Sequence, residues 1–104
     1  MIIASFDHSI VEELHRRKVA ADLGITTYGY IVGVADYASR LGAKWCFPAY
    51  RYVDEPMVRS LHERGVKVVP WTPNRVREWD VLRDFGCDGV ITDVPHECVQ
   101  WRGR

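Results

Sequence analysis

Lys67-Val68-Val69-Pro70-Trp71-Thr72-Pro73-Asn74 is the stretch on which the fold turns, a short β-branched run that stops at a tryptophan, a hydroxyl and an amide. Such a run suits a strand buried on both faces, and the polar residues that follow it are then delivered to a mouth. Pro70 and Pro73 bound the turn. Asn74 is placed to cap the helix that follows, because its side-chain oxygen can accept from the free amides of a first turn. Any chemistry is therefore expected at Trp71 to Asn74.

Working outward, Gly24, Gly42, Gly65 and Gly86 each follow a helix-like stretch and precede a strand-like one, at separations of 18, 23 and 21 residues. That spacing is the beat of repeated βα units. Ile2 to Phe6 reads as a first strand, and Ser9 with Glu12 offers a capping box for a helix running to about Lys18. Ile25 to Val32 reads as the second strand and Trp45 to Pro48 as the third. Asp54-Glu55-Pro56 opens a helix with a cap, an acid in the positive first turn and a proline where no amide donor is needed. Val66 to Trp71 is the fourth strand. Val76, Trp79, Leu82 and Phe85 line the next helix, Gly89 to Asp93 is the fifth strand, and His96 to Trp101 forms a short amphipathic tail. Strands separated by helix-length connections imply a parallel sheet with right-handed crossovers. Their ends carry Ser5, Tyr50, Trp71, Thr72, Thr92 and Asp93, which is where α/β folds, open or barrel, place ligands.

With 104 residues, 47% hydrophobic and 27% charged, residues 1–104 are expected to form one domain. Fourteen basic residues balance fourteen acidic ones, so no electrostatic footprint for nucleic acid or an anionic membrane exists. No apolar run approaches the roughly 20 residues of a spanning helix, and Asp7 and His8 interrupt the start where a signal peptide would be apolar. The expected compartment is the cytoplasm. Cys46, Cys87 and Cys98 are widely spaced, without a Cys-x-x-Cys pair, and read as reduced.

Four segments then become specific in order and spacing: Ser5-Phe6-Asp7-His8; Met57-Val58 with Leu61-His62 to Gly65; Val69-Pro70-Trp71-Thr72-Pro73-Asn74; and Gly86-Cys87-Asp88-Gly89-Val90-Ile91-Thr92-Asp93-Val94-Pro95. Together they resemble the C-terminal part of glycerophosphodiester phosphodiesterases. The resemblance implies a TIM-barrel enzyme of lipid metabolism, a phosphoric diester hydrolase that releases an alcohol and glycerol 3-phosphate. In that family a divalent cation, Mg or Ca, is held by carboxylates, and a pair of histidines moves protons. The family's His-Arg-Gly, Glu-x-Asp and His-Asp segments are not in this sequence. A complete barrel needs about 250 residues and eight strands, so the expected fold is α/β, a partial (β/α) TIM-type barrel of about five parallel strands with flanking helices.

No catalytic residue and no metal ligand is therefore assigned. What the resemblance carries over is a pocket wall: Ser5 and Phe6, Trp71, Thr72 and Asn74, and Thr92 and Asp93. His8, just past the first strand, joins them as the histidine nearest the mouth, whereas His15 and His62 sit on helices. Trp71 either stacks on a ligand or fills the core; Asp93 is either a metal ligand or a cap for the last turn. The ligand expected is a small phosphate or polyol. Two unpaired sheet edges call for a homo-oligomer or a partner chain that completes the barrel. The alternative functions are a non-catalytic binding or assembly module, or one half of a split enzyme.

Overall fold

In the computed structural model, which describes residues 1–103, the chain alternates strand and helix as far as α4. In chain order the elements are β1 (Ile2–Ser5), α1 (His8–Arg16), β2 (Asp22–Thr27), α2 (Val34–Arg40), β3 (Ala43–Pro48), a 3-10 turn (Tyr50–Tyr52), α3 (Glu55–Glu63), β4 (Lys67–Val68), α4 (Val76–Asp84) and α5 (Pro95–Arg102). The sheet order is β1-β2-β3-β4. Every neighbouring pair is parallel, with Ile2 opposite Asp22, Thr26 opposite Phe47 and Cys46 opposite Val68.

The expected fifth strand is reduced to one bridge, between Trp71 and Ile91. Along β4 and its continuation, the Val69 and Trp71 amides point to β3, donating to Cys46 O at 2.9 Å and Pro48 O at 3.0 Å. Val68 and Pro70 face the other way. Their carbonyls accept from Asp88 N at 2.9 Å and Ile91 N at 2.8 Å. In return, however, the Val68 amide goes to the Asp88 carboxylate at 2.7 Å, and Pro70 has no N–H. With the Val68 amide diverted and Pro70 lacking one, a regular ladder does not form.

Local signals set most helix ends. Asp54 caps α3 by accepting from Met57 N at 2.9 Å. Gly42, Gly65 and Gly86 lie at φ of 73°, 72° and 90° just beyond helices, the left-handed conformation that ends a helix most cheaply with glycine. Two expected caps are replaced. Asp7 takes the α1 cap in place of Ser9, accepting from the Ser9 amide at 3.1 Å. Asn74 does not cap α4, because its side chain is engaged elsewhere. Nor is Gly24 a helix stop. It sits within β2, where a Cβ would come within 2.7 Å of the Phe47 ring, so glycine is what lets that ring lie across the strand. Helix α1 ends instead near Lys18, at φ 54°.

Helices cover one face of the sheet. Val11, Ile25, Cys46, Leu61 and Val68 are each 0% exposed between helix and strand, and burying such side chains contributes about 1.5–3 kcal/mol apiece. The opposite, concave face is bare. Ile2, Phe6 and Ile91 stand open on it, around a concavity of about 510 Å³ lined also by Ala4, Thr26, Phe47 and Trp71. No helix among the described residues is long and apolar enough to cross a membrane.

Candidate functional site

The C-terminal ends of the strands bring Asn74, Thr92 and Asp93 into one hydrogen-bonded cluster. The Asn74 side-chain oxygen accepts from Thr92 Oγ1 and from the Asp93 amide, both at 2.9 Å. Its amide nitrogen donates to Asp93 Oδ2 at 3.0 Å. An oxygen that accepts twice beside a nitrogen facing a carboxylate leaves one orientation for the amide. The bonds of Thr92 settle the question of the last turn: its hydroxyl accepts from Val94 N at 3.2 Å, while α5 has no side-chain cap. Asp93 is thus not the cap. It is exposed, and its Oδ1 forms no hydrogen bond among the described residues.

Behind this cluster stands Glu78, which the sequence reading missed. Its Oε1 accepts from the amides of Asn74 at 3.0 Å and Arg75 at 3.2 Å, and its Oε2 from the Tyr50 hydroxyl at 2.9 Å. Glu78 therefore fixes the backbone that carries Asn74. An acid in the first turn of α4 was a visible signal, but the Tyr50 partner lies 28 residues away. Partial burial pushes the Glu78 carboxyl up, yet the bonds from Tyr50, Asn74 and Arg75 outweigh it and hold the group below its ordinary value of 4.5. A carboxyl lowered on folding adds stability above that ordinary value, which is lost as pH falls through the folded one. Glu78→Gln is therefore expected to unfold at lower urea than the parent at neutral pH, with the gap narrowing as pH falls below the ordinary carboxyl value of 4.5. A gap that stays constant with pH would show that the charge on Glu78 does not hold the turn.

The aromatic side of the mouth is built from Phe6, Trp71, Tyr28 and Tyr52. Phe6 meets Trp71 edge-on at 5.9 Å, Trp71 meets Tyr28 at 6.1 Å, and Tyr28 meets Tyr52 at 5.6 Å between ring centroids. Trp71 donates from Nε1 to Phe47 O at 2.8 Å, so its ring is fixed while one side faces the concavity. It both lines the pocket and fills the bare interior. The Trp71–Thr72 peptide is cis, and Thr72 is half-buried.

Ser5 is engaged locally and His8 by other elements. The Ser5 hydroxyl accepts from Asp7 N at 2.9 Å. His8 opens α1 with both ring nitrogens committed, Nδ1 to the Tyr37 hydroxyl at 2.6 Å and Nε2 to Thr26 O at 2.9 Å. A carbonyl only accepts, so Nε2 carries a proton, and in the neutral ring Nδ1 accepts from Tyr37. His8 thereby ties α1 to β2 and α2, and neither nitrogen is free for a ligand. No three His, Cys, Asp or Glu side chains converge to hold a metal ion among the described residues. Cys46 and Cys87 are pushed up to about 12 by burial, with Asp88 adding to it at Cys87, and are not nucleophiles at neutral pH.

Residues 1–97 match the family model for the glycerophosphoryl diester phosphodiesterase family. The chain belongs to this family. A glycerophosphodiester phosphodiesterase of Caldanaerobacter subterraneus subsp. tengcongensis is 27% identical over 99 residues, which are 95% of this chain and 41% of that one. Two solved structures show how the family fold is retained here. An Oleispira antarctica phosphodiesterase in complex with the product sn-glycerol-3-phosphate superposes with a TM-score of 0.88 at 16% identity, over 99% of this chain and 42% of that one. A Galdieria sulphuraria structure gives 0.90 at 15%, over 99% and 44%. The chain thus spans about two-fifths of the length of these phosphodiesterases, and it keeps the conformation of a partial barrel.

Proposed function

We propose that this glycerophosphodiester phosphodiesterase-like chain serves as one wall of a phosphate or polyol pocket and does not hydrolyse a phosphodiester by itself. The observation that carries the reading is the Asn74–Thr92–Asp93 cluster, held at the strand ends by Glu78, in which the second Asp93 carboxylate oxygen is left to accept from a polyol hydroxyl. Phe6 and Trp71 supply the apolar side, and Ser5 and Thr72 complete the rim. His8 supports the wall from behind. The glycerol phosphate found in the Oleispira relative supports the ligand class.

Hydrolysis asks for more. Attack of water on a phosphodiester needs its charge neutralised and the leaving oxygen protonated. At this mouth Asp93 offers one free oxygen, and the Asp7 carboxylate, held below the usual range by the Ser9 hydroxyl, is occupied as a helix cap. His8 has no free nitrogen for the leaving group. Because the chain spans only 41% of its Caldanaerobacter relative, a role as one half of a split enzyme is the second reading, with the acid, base and metal ligands supplied by another chain.

Incubated with glycerophosphocholine and Mg²⁺ or Ca²⁺, the pure chain is expected to release no glycerol 3-phosphate above the protein-free blank. Titration with sn-glycerol 3-phosphate is expected to change the tryptophan fluorescence saturably, more weakly in Asn74→Ala and not in Trp71→Phe. Turnover abolished by both Asp93→Ala and His8→Ala would overturn the reading, as would a fluorescence titration with no saturable change.

A further inference from the structure

On the helical side of the sheet, α4 and the turn after β3 enclose a cleft of about 400 Å³ that shares no lining residue with the concave face. Ligand sites run from roughly 300 to 1,000 Å³. Two rows of side chains from α4 and its C-terminal cap form one wall, Arg77-Val81-Phe85 and Glu78-Leu82, because residues four apart stack on one helix face. Tyr50, Arg51 and Val53 form the other. The cleft is graded along its length. Arg77 stands at one end, and Val81 and Phe85 follow over about 12 Å of helix rise, with Leu82 and Val53 buried beneath them. Arg51 belongs to the charged end: its guanidinium carbon lies 5.9 Å from the centroid of the Tyr50 ring, whose hydroxyl bonds Glu78, the neighbour of Arg77.

The charges around this cleft are not balanced from within. Asp54 is occupied by the Met57 amide, Glu55 by Arg59, and Asp80 by Trp101 Nε1 at 2.8 Å and by Arg83. Glu78 has one oxygen on the Asn74 and Arg75 amides and the other on the Tyr50 hydroxyl. Among the described residues no carboxylate pairs with Arg51 or Arg77. Two exposed guanidinium groups beside an apolar floor complement a molecule with an anion at one end and a hydrocarbon chain at the other. Arginine forks fit the oxygens of a carboxylate or a phosphate, and an alkyl chain laid on Val81 and Phe85 leaves water. We propose that the cleft binds a single-chain amphiphile with an anionic head, a carboxylate or a phosphate, the head on Arg51 and Arg77 and the tail on Val81, Leu82 and Phe85. This site is separate from the pocket wall proposed above, and neither reading depends on the other.

Calorimetric titration of the purified chain with decanoate and with decyl phosphate, each below its micelle-forming concentration, is expected to show saturable binding, and the tighter of the two names the head group. Acetate, which lacks the tail, and decyltrimethylammonium, which reverses the charge of the head, are expected not to bind. Arg51→Gln and Arg77→Gln should each weaken the amphiphile about tenfold, the loss of one charge-assisted bond. Val81→Glu, at a position 46% exposed, sets a carboxylate one turn from Arg77. It is expected to abolish binding with an unchanged far-ultraviolet circular dichroism spectrum. Amide shifts in nuclear magnetic resonance spectra should centre on Arg51, Val53, Val81 and Phe85. The proposal is overturned if neither amphiphile binds saturably, if decyltrimethylammonium binds as well as decanoate, or if both arginine variants keep the parent affinity. Shifts centred on Phe6, Phe47 and Trp71 would overturn it too, by placing the amphiphile on the concave face.

Discussion

Trp79→Ala is expected to cost about 3–5 kcal/mol, the usual penalty for emptying a buried tryptophan site, against a total stability on the order of 5–15 kcal/mol for a domain. Trp79 is 1% exposed, packs against Trp101 at 5.7 Å between centroids and donates from Nε1 to Pro73 O at 2.7 Å. That bond ties α4 to the turn that carries Asn74. Trp79→Phe keeps most of the volume and leaves the Pro73 carbonyl without its donor, which costs about 1–3 kcal/mol. Urea unfolding at one protein concentration separates the two. A loss below about 1 kcal/mol in Trp79→Ala would mean the site collapses around the cavity and the indole is not central.

Asp88→Ala is the second large effect, at about 1–3 kcal/mol, because it strands a buried donor. Val68 is fully buried and its amide has the Asp88 Oδ2 as partner at 2.7 Å. The same oxygen meets His62 Nε2 at 2.7 Å, while the Asp88 amide returns a bond to Val68 O at 2.9 Å. The carboxylate thus stands in for the strand partner that β4 lacks. Asp88→Asn keeps one side-chain oxygen as acceptor and is expected to lose less. Hydrogen exchange at the Val68 amide reads the effect locally: protection should fall in Asp88→Ala and survive largely in Asp88→Asn. Equal protection in both variants and the parent would show that the amide does not depend on Asp88.

The sequence by itself determined whatever a few neighbouring residues decide. Asp54 before Glu55-Pro56 had to start α3, because an acceptor two or three residues upstream of free amides satisfies them locally. Gly42, Gly65 and Gly86 marked helix ends for the same short-range reason, a backbone conformation that other residues resist. The parallel order followed from helix-length crossovers, and the family from the segments around Trp71 and Asp93. Asn74, Thr92 and Asp93 were legible as strand-end residues, though not as one bonded cluster.

Tertiary structure alone decided where side chains far apart in sequence meet. Gly24 reads like a helix stop, yet it is a strand residue because the Phe47 ring, 23 positions on, needs its missing Cβ. Pro70 reads as part of a buried strand; only its pairing with Ile91 reveals that its absent amide dissolves the fifth strand into a bridge. His8 has the sequence position of a ligand residue, and Tyr37 and Thr26 take both its nitrogens. Glu78 holds the Asn74 and Arg75 amides at the mouth while Tyr50, 28 positions away, bonds its other oxygen. Each outcome is set by which hydrogen-bond partner or ring arrives from another element, and a chain read residue by residue carries propensity and spacing but not that distance.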